Sequence, residues 1–197
     1  MYLFIETVCY LDGQPTMLAL HQQRLDRTFQ SYFPEAKPHQ LHQLLPEIPD
    51  DSRFKCRVVY DGDSISVEYT PYLIPKIKSL RVVICDDAAY AYKSEDRSKL
   101  VELFERRGAA DDVLIVKNGM VTDSYFANVA FYDGNEWFTP ETCLLEGVKR
   151  KSLIMQGLLK VRAISLQDIS RYEKVSLINA MLDLGEVEIN VNSIILN

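Results

Sequence analysis

One stretch of the chain, Asp123 to Arg150 (DSYFANVAFYDGNEWFTPETCLLEGVKR), gathers residue types that can do chemistry together: an acid, an asparagine, a Thr-Pro pair, and a glycine that opens an amphipathic helix. The first N–H groups of a helix have no intrahelical partner and lie at the positive end of its macrodipole, which makes the helix start at Gly147 a candidate anion site. A glycine that only permits a tight loop-to-helix turn explains the same residues. Upstream stands Lys93, in AYKSEDRSKL. A lysine can act as nucleophile and proton shuttle when its amine is neutral, and read alone it is equally a solvated surface charge.

Other chemistries find little support. The only histidines are His21, His39 and His42, in a polar N-terminal region, so neither a zinc site nor a histidine-based triad has much to build on. Cys9, Cys56, Cys85 and Cys143 are widely spaced, with no CxxC pair, and read as reduced and packed. A net charge of -6 with scattered Lys and Arg leaves no footprint for nucleic acid or an anionic membrane, so a small-molecule substrate is expected. No apolar run approaches the roughly 20 residues that span a bilayer. The start MYLFIETVCYLDG lacks the features of a signal peptide, and a cytoplasmic location is expected.

The elements that must position these residues alternate between strand and helix signals. MYLFIETVCYL is an apolar strand ending at the Asp12-Gly13 turn, and LALHQQRLDRTFQSYF carries Leu18, Leu25, Phe29 and Phe33 at helical spacing. A second short helix is expected over residues 37–48, ending at Pro49. FKCRVVYDGDSISVEYTPY predicts a hairpin around Asp61-Gly62-Asp63, with Gly62 supplying a positive φ. Pro71 and Pro75 mark a boundary between an N-terminal lobe, residues 1–75, and a larger lobe, residues 76–197. LRVVICDDA follows as a buried strand, and a helix through Leu100, Leu103 and Phe104 stops at Gly108. DVLIVKNG, MVTDSYFANVAFYDG and NEWF suggest an antiparallel meander. A helix from Gly147 to Leu159 and short strands at residues 161–165, 174–178 and in EVEINVNSIIL complete an α+β pattern.

Taken in order, Lys93, VTDSYFAN, Thr139-Pro140 and LLEGVKR resemble the signature of the class IV aminotransferases, the fold type IV pyridoxal-phosphate enzymes. FIET resembles that family's Phe-Glu-Thr strand and HQQRL its His-x-x-Arg-Leu helix, so the resemblance spans most of the chain. It implies two lobes of mostly antiparallel strands covered by helices, a pyridoxal 5'-phosphate cofactor, an amine substrate, and a homodimer. It makes Lys93 the Schiff-base lysine and proton carrier. Asp123, where the family has Glu, becomes the partner of the pyridinium nitrogen, and Arg24 the phosphate arginine. Gly147, Val148 and Lys149 become the phosphate-binding helix start, and Asn179, in SLINAM, a residue beside the cofactor. Asn128 is expected to fix backbone geometry.

The chain departs from the pattern at Asp123, at Lys149 where Thr is usual, and at its start, which lacks the Gly-Asp-Gly stretch and implies an N-terminal lobe without the first strand. Within the family, KSEDR and NAM resemble 4-amino-4-deoxychorismate lyases, which release pyruvate and 4-aminobenzoate. A transaminase of D-amino or branched-chain amino acids and a non-catalytic protein of the same fold are the alternatives. Arg57 and Arg97 are candidates for a dicarboxylate substrate, and Tyr92 for a pocket wall or an aromatic core.

Overall fold

The computed structural model describes residues 2–48 and 52–196. The chain divides into two compact units, one of Met1–Leu73 with Tyr92–Asp96 and one of Ile74–Ala91 with Arg97–Asn197. The segment that carries Lys93 thus belongs to the first unit, whereas a single cut after residue 75 assigns it to the second.

In the first unit, β1 (Phe4–Leu11), β2 (Gln14–Pro15), β3 (Phe54–Tyr60) and β4 (Ile65–Pro71) form an antiparallel sheet in the order β2-β1-β3-β4. The β1–β2 turn uses Asp12 and Gly13, both at positive φ. Alternation along β1 places Phe4, Glu6, Val8 and Tyr10 on one face, and Phe4, Val8 and Tyr10 enter a core with Leu25 and Phe29 of α1 (Leu18–Tyr32). The buried face of α1 is His21, Arg24, Leu25, Thr28 and Phe29, the spacing of one helical stripe. Three polar residues of that stripe, His21, Arg24 and Thr28, are therefore buried together with Glu6.

Two local expectations are corrected here. The second helix, α2 (Leu41–Leu44), is one turn long, confined between Pro38 and Pro46, which interrupt helical hydrogen bonding; Pro49 lies outside the described residues. Gly62 has no positive φ. The β3–β4 turn is instead held by Asp61 Oδ1, which accepts the N–H groups of Asp63 (2.8 Å) and Ser64 (2.7 Å). Gly62 is small for space, since a Cβ there would meet the Phe33 ring at 3.0 Å.

The second unit holds two sheets. One has the order β13-β5-β6-β7, built from β5 (Leu80–Ile84), β6 (Asp112–Lys117), β7 (Met120–Val121) and β13 (Ile194–Ile195). Its β5–β6 and β5–β13 pairs are parallel, and α3 (Ser98–Glu105) lies on the crossover from β5 to β6. The other has the order β10-β9-β8-β11-β12, from β8 (Asn128–Tyr132), β9 (Trp137–Pro140), β10 (Lys160–Arg162), β11 (Lys174–Ile178) and β12 (Glu188–Asn190), with α4 (Val148–Met155) between β9 and β10. The expected meander is therefore divided. After β7 the chain makes a tight turn, with Ser124 N–H donating to the Ala127 carbonyl and Ala127 N–H to Ser124 Oγ, and enters the other sheet at Asn128. That turn sets Asp123 and Asn128 across from each other. Similarly, α3 ends before Gly108, whose positive φ belongs to the turn that follows the helix.

Candidate active site

In the first unit the chemistry gathers around Glu6. Its carboxylate is fully buried and accepts from Arg24 Nε at 2.8 Å, Arg24 Nη2 at 2.6 Å and His21 Nδ1 at 2.5 Å. Burial drives the Glu6 carboxyl up, but the Arg24 charge and the hydrogen bonds from His21 and Arg24 outweigh it and hold the group down at about 2. Burial pushes the His21 imidazole down, against the pull of Glu6 and with the Arg24 and Lys93 charges adding to it. A carboxylate only accepts, so His21 Nδ1 carries the proton. His21 Nε2 is then a bare acceptor, and it is buried with no hydrogen-bond partner among the described residues.

Lys93 is fixed through its main chain: the Ile5 N–H donates to the Lys93 carbonyl at 2.9 Å, and Ser94 bridges Phe4. The lysine thus leaves the chain beside the strand that carries Glu6. Arg24, which sequence alone leaves open to a solvated reading beside Asp26, is buried, and it is Gln22 that bonds Asp26.

The second unit carries a separate cluster around Asp123. Asp123 Oδ1 accepts from Asn128 Nδ2 at 2.8 Å, and Oδ2 accepts the N–H groups of Leu144 (2.9 Å) and Leu145 (3.0 Å). Burial pushes the Asp123 carboxyl up to about 6, against these hydrogen bonds and the charge of Arg150. Asn128 Nδ2 also donates to the Leu145 carbonyl at 2.8 Å, so the amide ties the acid to the loop before α4. Gly147 is the N-cap of α4, and a Cβ there would stand 2.0 Å from Asn128 Oδ1.

No side chain caps α4 and no acid lies in its first turn, which leaves the helix start suited to an external anion. Arg150 explains the Thr-Pro pair: its Nε donates to Thr139 Oγ1 at 3.1 Å and its Nη2 to the Pro140 carbonyl at 2.8 Å. Lys149 Nζ pairs with Asp183. Asn179 closes a turn, accepting the Met181 N–H at 2.8 Å and donating to the Phe126 carbonyl at 3.3 Å.

The other expected residues have local partners. Arg57 pairs with Glu95 at 2.7 Å. Arg97 donates to the Tyr125 carbonyl at 2.6 Å and lies over the Tyr125 ring, 4.4 Å from its centroid. Tyr92 bonds Ser31 Oγ at 2.7 Å and packs with Phe4 and Tyr32. Sequence reading passed over Asp183 and gave His21 and Arg150 no role of their own. For His21 the signal was present, since it falls on the same helical stripe as Arg24, Leu25, Thr28 and Phe29.

Comparison with known proteins places this geometry. Residues 3–188 match the family model described as amino-transferase class IV. A Haemophilus influenzae protein of uncharacterised function is 36% identical over 185 residues, covering 92% of this chain and 98% of its own. Among solved structures, a Haemophilus somnus protein provisionally named 4-amino-4-deoxychorismate lyase shares 30% identity with a TM-score of 0.87, over 93% of this chain and 98% of that one. The branched-chain amino acid aminotransferase of Escherichia coli shares the fold at 15% identity, with a TM-score of 0.74 over 98% of this chain and 76% of that one. A hypothetical aminotransferase from Mycobacterium tuberculosis in a pyridoxal-phosphate-bound form does so at 16% identity, with a TM-score of 0.75 over 98% and 81%.

The donor set fits that cofactor: an uncapped helix start suits a phosphate, and a buried acid suits a protonated ring nitrogen. The chain belongs to the class IV aminotransferase family and is a pyridoxal-phosphate-dependent enzyme of fold type IV.

Proposed function

We propose that the enzyme is a lyase that converts 4-amino-4-deoxychorismate to 4-aminobenzoate and pyruvate. The observation that carries this reading is the likeness to the Haemophilus somnus protein, at 30% identity and nearly full length on both sides. The transaminase of the same fold is matched at half that identity.

Pyridoxal phosphate, when bound, supplies a ring that accepts electrons from the substrate. Lys93 would hold the cofactor covalently in the resting enzyme. Its Nζ then takes the proton from the substrate ring carbon and returns a proton to the departing enolpyruvate, so that the C–O bond breaks with no water consumed. Asp123 would hold the ring nitrogen, and its raised pKa suits a proton shared with that atom. Val148 and Lys149 offer backbone N–H groups to the phosphate, and Arg24 offers its guanidinium. Asn179 shapes the turn beside the cofactor. Arg57 and Arg97 are the candidate cations for the substrate carboxylates, with Tyr92 as a candidate wall, and each would have to exchange a present partner for that contact. The working form is a homodimer.

Incubating the enzyme with 4-amino-4-deoxychorismate should release pyruvate and 4-aminobenzoate in equal amounts, and Lys93→Ala should abolish both. Transfer of amino groups from D-amino or branched-chain amino acids to a 2-oxo acid, with no pyruvate from the chorismate derivative, would assign a transaminase instead. Borohydride reduction should leave a pyridoxyl group on the peptide that contains Lys93.

A further inference from the structure

We propose that Glu6 is a positioning residue for the cofactor phosphate: it sets the plane and reach of the Arg24 guanidinium, and His21 holds Glu6 in place. This rests on the reading of Arg24 as a phosphate ligand.

Three observations carry it. First, the contact is two-pronged, with Glu6 Oε1 on Arg24 Nε at 2.8 Å and Oε2 on Nη2 at 2.6 Å, which fixes a planar group in orientation as well as position. Second, the acid stands on the helix-facing side of β1 between Phe4 and Val8, where an apolar residue would complete the core. A buried ion pair adds little net stability over apolar residues of similar size, so stability alone does not account for one here. Third, His21 closes on Glu6 Oε2 from the same stripe of α1 that carries Arg24, and it spends its one ring proton there while Nε2 stays unpartnered among the described residues. A histidine serving only to satisfy its own polar atoms would not leave one nitrogen buried and bare. Both prongs come from side chains on β1 and α1, so the guanidinium is aimed by regular elements and not by a loop.

The test compares pyridoxal phosphate with pyridoxal, which lacks the phosphate, as ligands of the cofactor-free enzyme, following the visible absorption of the bound form. Glu6→Gln should weaken pyridoxal phosphate about 10- to 100-fold, the scale on which orienting partners of ligating groups act, while pyridoxal affinity stays within about threefold. Glu6→Asp, which keeps the charge but draws the carboxylate back from the guanidinium by one methylene, should give the same selective loss if Glu6→Gln does not fold. Equal losses for the two ligands, no loss for either, or failure of both variants to fold would overturn the proposal and leave Glu6 a folding residue. Arg24→Lys separates the levels. If it too leaves the preference for the phosphorylated ligand unchanged, the reading of Arg24 fails. If Arg24→Lys removes the preference and the Glu6 variants retain it, only the positioning role fails.

Discussion

Glu6 in the first unit and Asp123 in the second are both buried acids, and each accepts three hydrogen bonds, yet their acidities are driven apart. Glu6 is held at about 2 and Asp123 is raised to about 6. The number of donors is the same, so the difference lies in what the donors carry. Two of the three bonds to Glu6 come from a guanidinium, whose full charge compensates for lost water. Those to Asp123 come from a side-chain amide and two backbone N–H groups, which orient the carboxylate without neutralising it. At Asp123 the hydrogen bonds and the Arg150 charge together do not offset desolvation, whereas at Glu6 a guanidinium bonded directly to both oxygens does. The first arrangement suits a fixed ion pair, and the second suits a group that exchanges a proton with something bound beside it.

The comparison breaks most visibly at its charged end. Glu6→Leu leaves Arg24 buried beside an uncompensated site and should cost about 3–5 kcal/mol in urea unfolding. The double variant with Arg24→Leu should recover most of that loss, because it removes the stranded charge as well.

The next effect lies in pH dependence and has opposite sign for the two acids. Asp123 has a folded pKa near 6 against the 3.8 of an unperturbed aspartate, so between those pH values the folded state binds the extra proton. Stability therefore falls as pH rises through that window, on the order of 2–3 kcal/mol for a shift of this size. Asp123→Asn should flatten the fall, leaving the share due to Asp112, which burial also raises to about 6. Glu6, lowered from 4.5, contributes stability that is present above that pH and is lost as pH falls toward 2. Unfolding midpoints measured from pH 3 to pH 8 read both slopes.

The smallest effect is expected at Lys149, whose partner Asp183 is half exposed. Lys149→Met should change stability by less than about 1 kcal/mol, and a larger loss would place this pair with Glu6 and Arg24.

Sequence made the local elements legible where turn chemistry and periodicity agree. The hairpin after Leu11, the helix from Leu18 and the strand Lys174–Ile178 are where the residues place them. Partners across the chain were not legible. DVLIVKNG and NVAFYDG both read as strands, but nothing in either says that one pairs in parallel with β5 and the other joins a different sheet. The order of motifs pointed to Lys93, Asp123 and Gly147, since each carries its chemistry in its own side chain or in the lack of one. Glu6, His21 and Arg24 act as a group only because β1 and α1 bury them together, and spacing along the sequence does not show that. Arg150 was quoted in the motif without a role, which came from its reach back to Thr139 and Pro140.

Gly147 has a consequence for how sequences of this kind drift. Its φ of -67° is open to any residue, so what excludes a side chain is the Asn128 amide, which is tethered to Asp123 and Leu145. The requirement is steric and internal to the unit, independent of whether a cofactor is ever bound. A descendant that lost Lys93, the lysine proposed to hold the cofactor, would still be held to glycine at 147 for as long as Asn128 stayed in place. Glycine at this point of the motif is therefore a record of the fold and carries no information about activity.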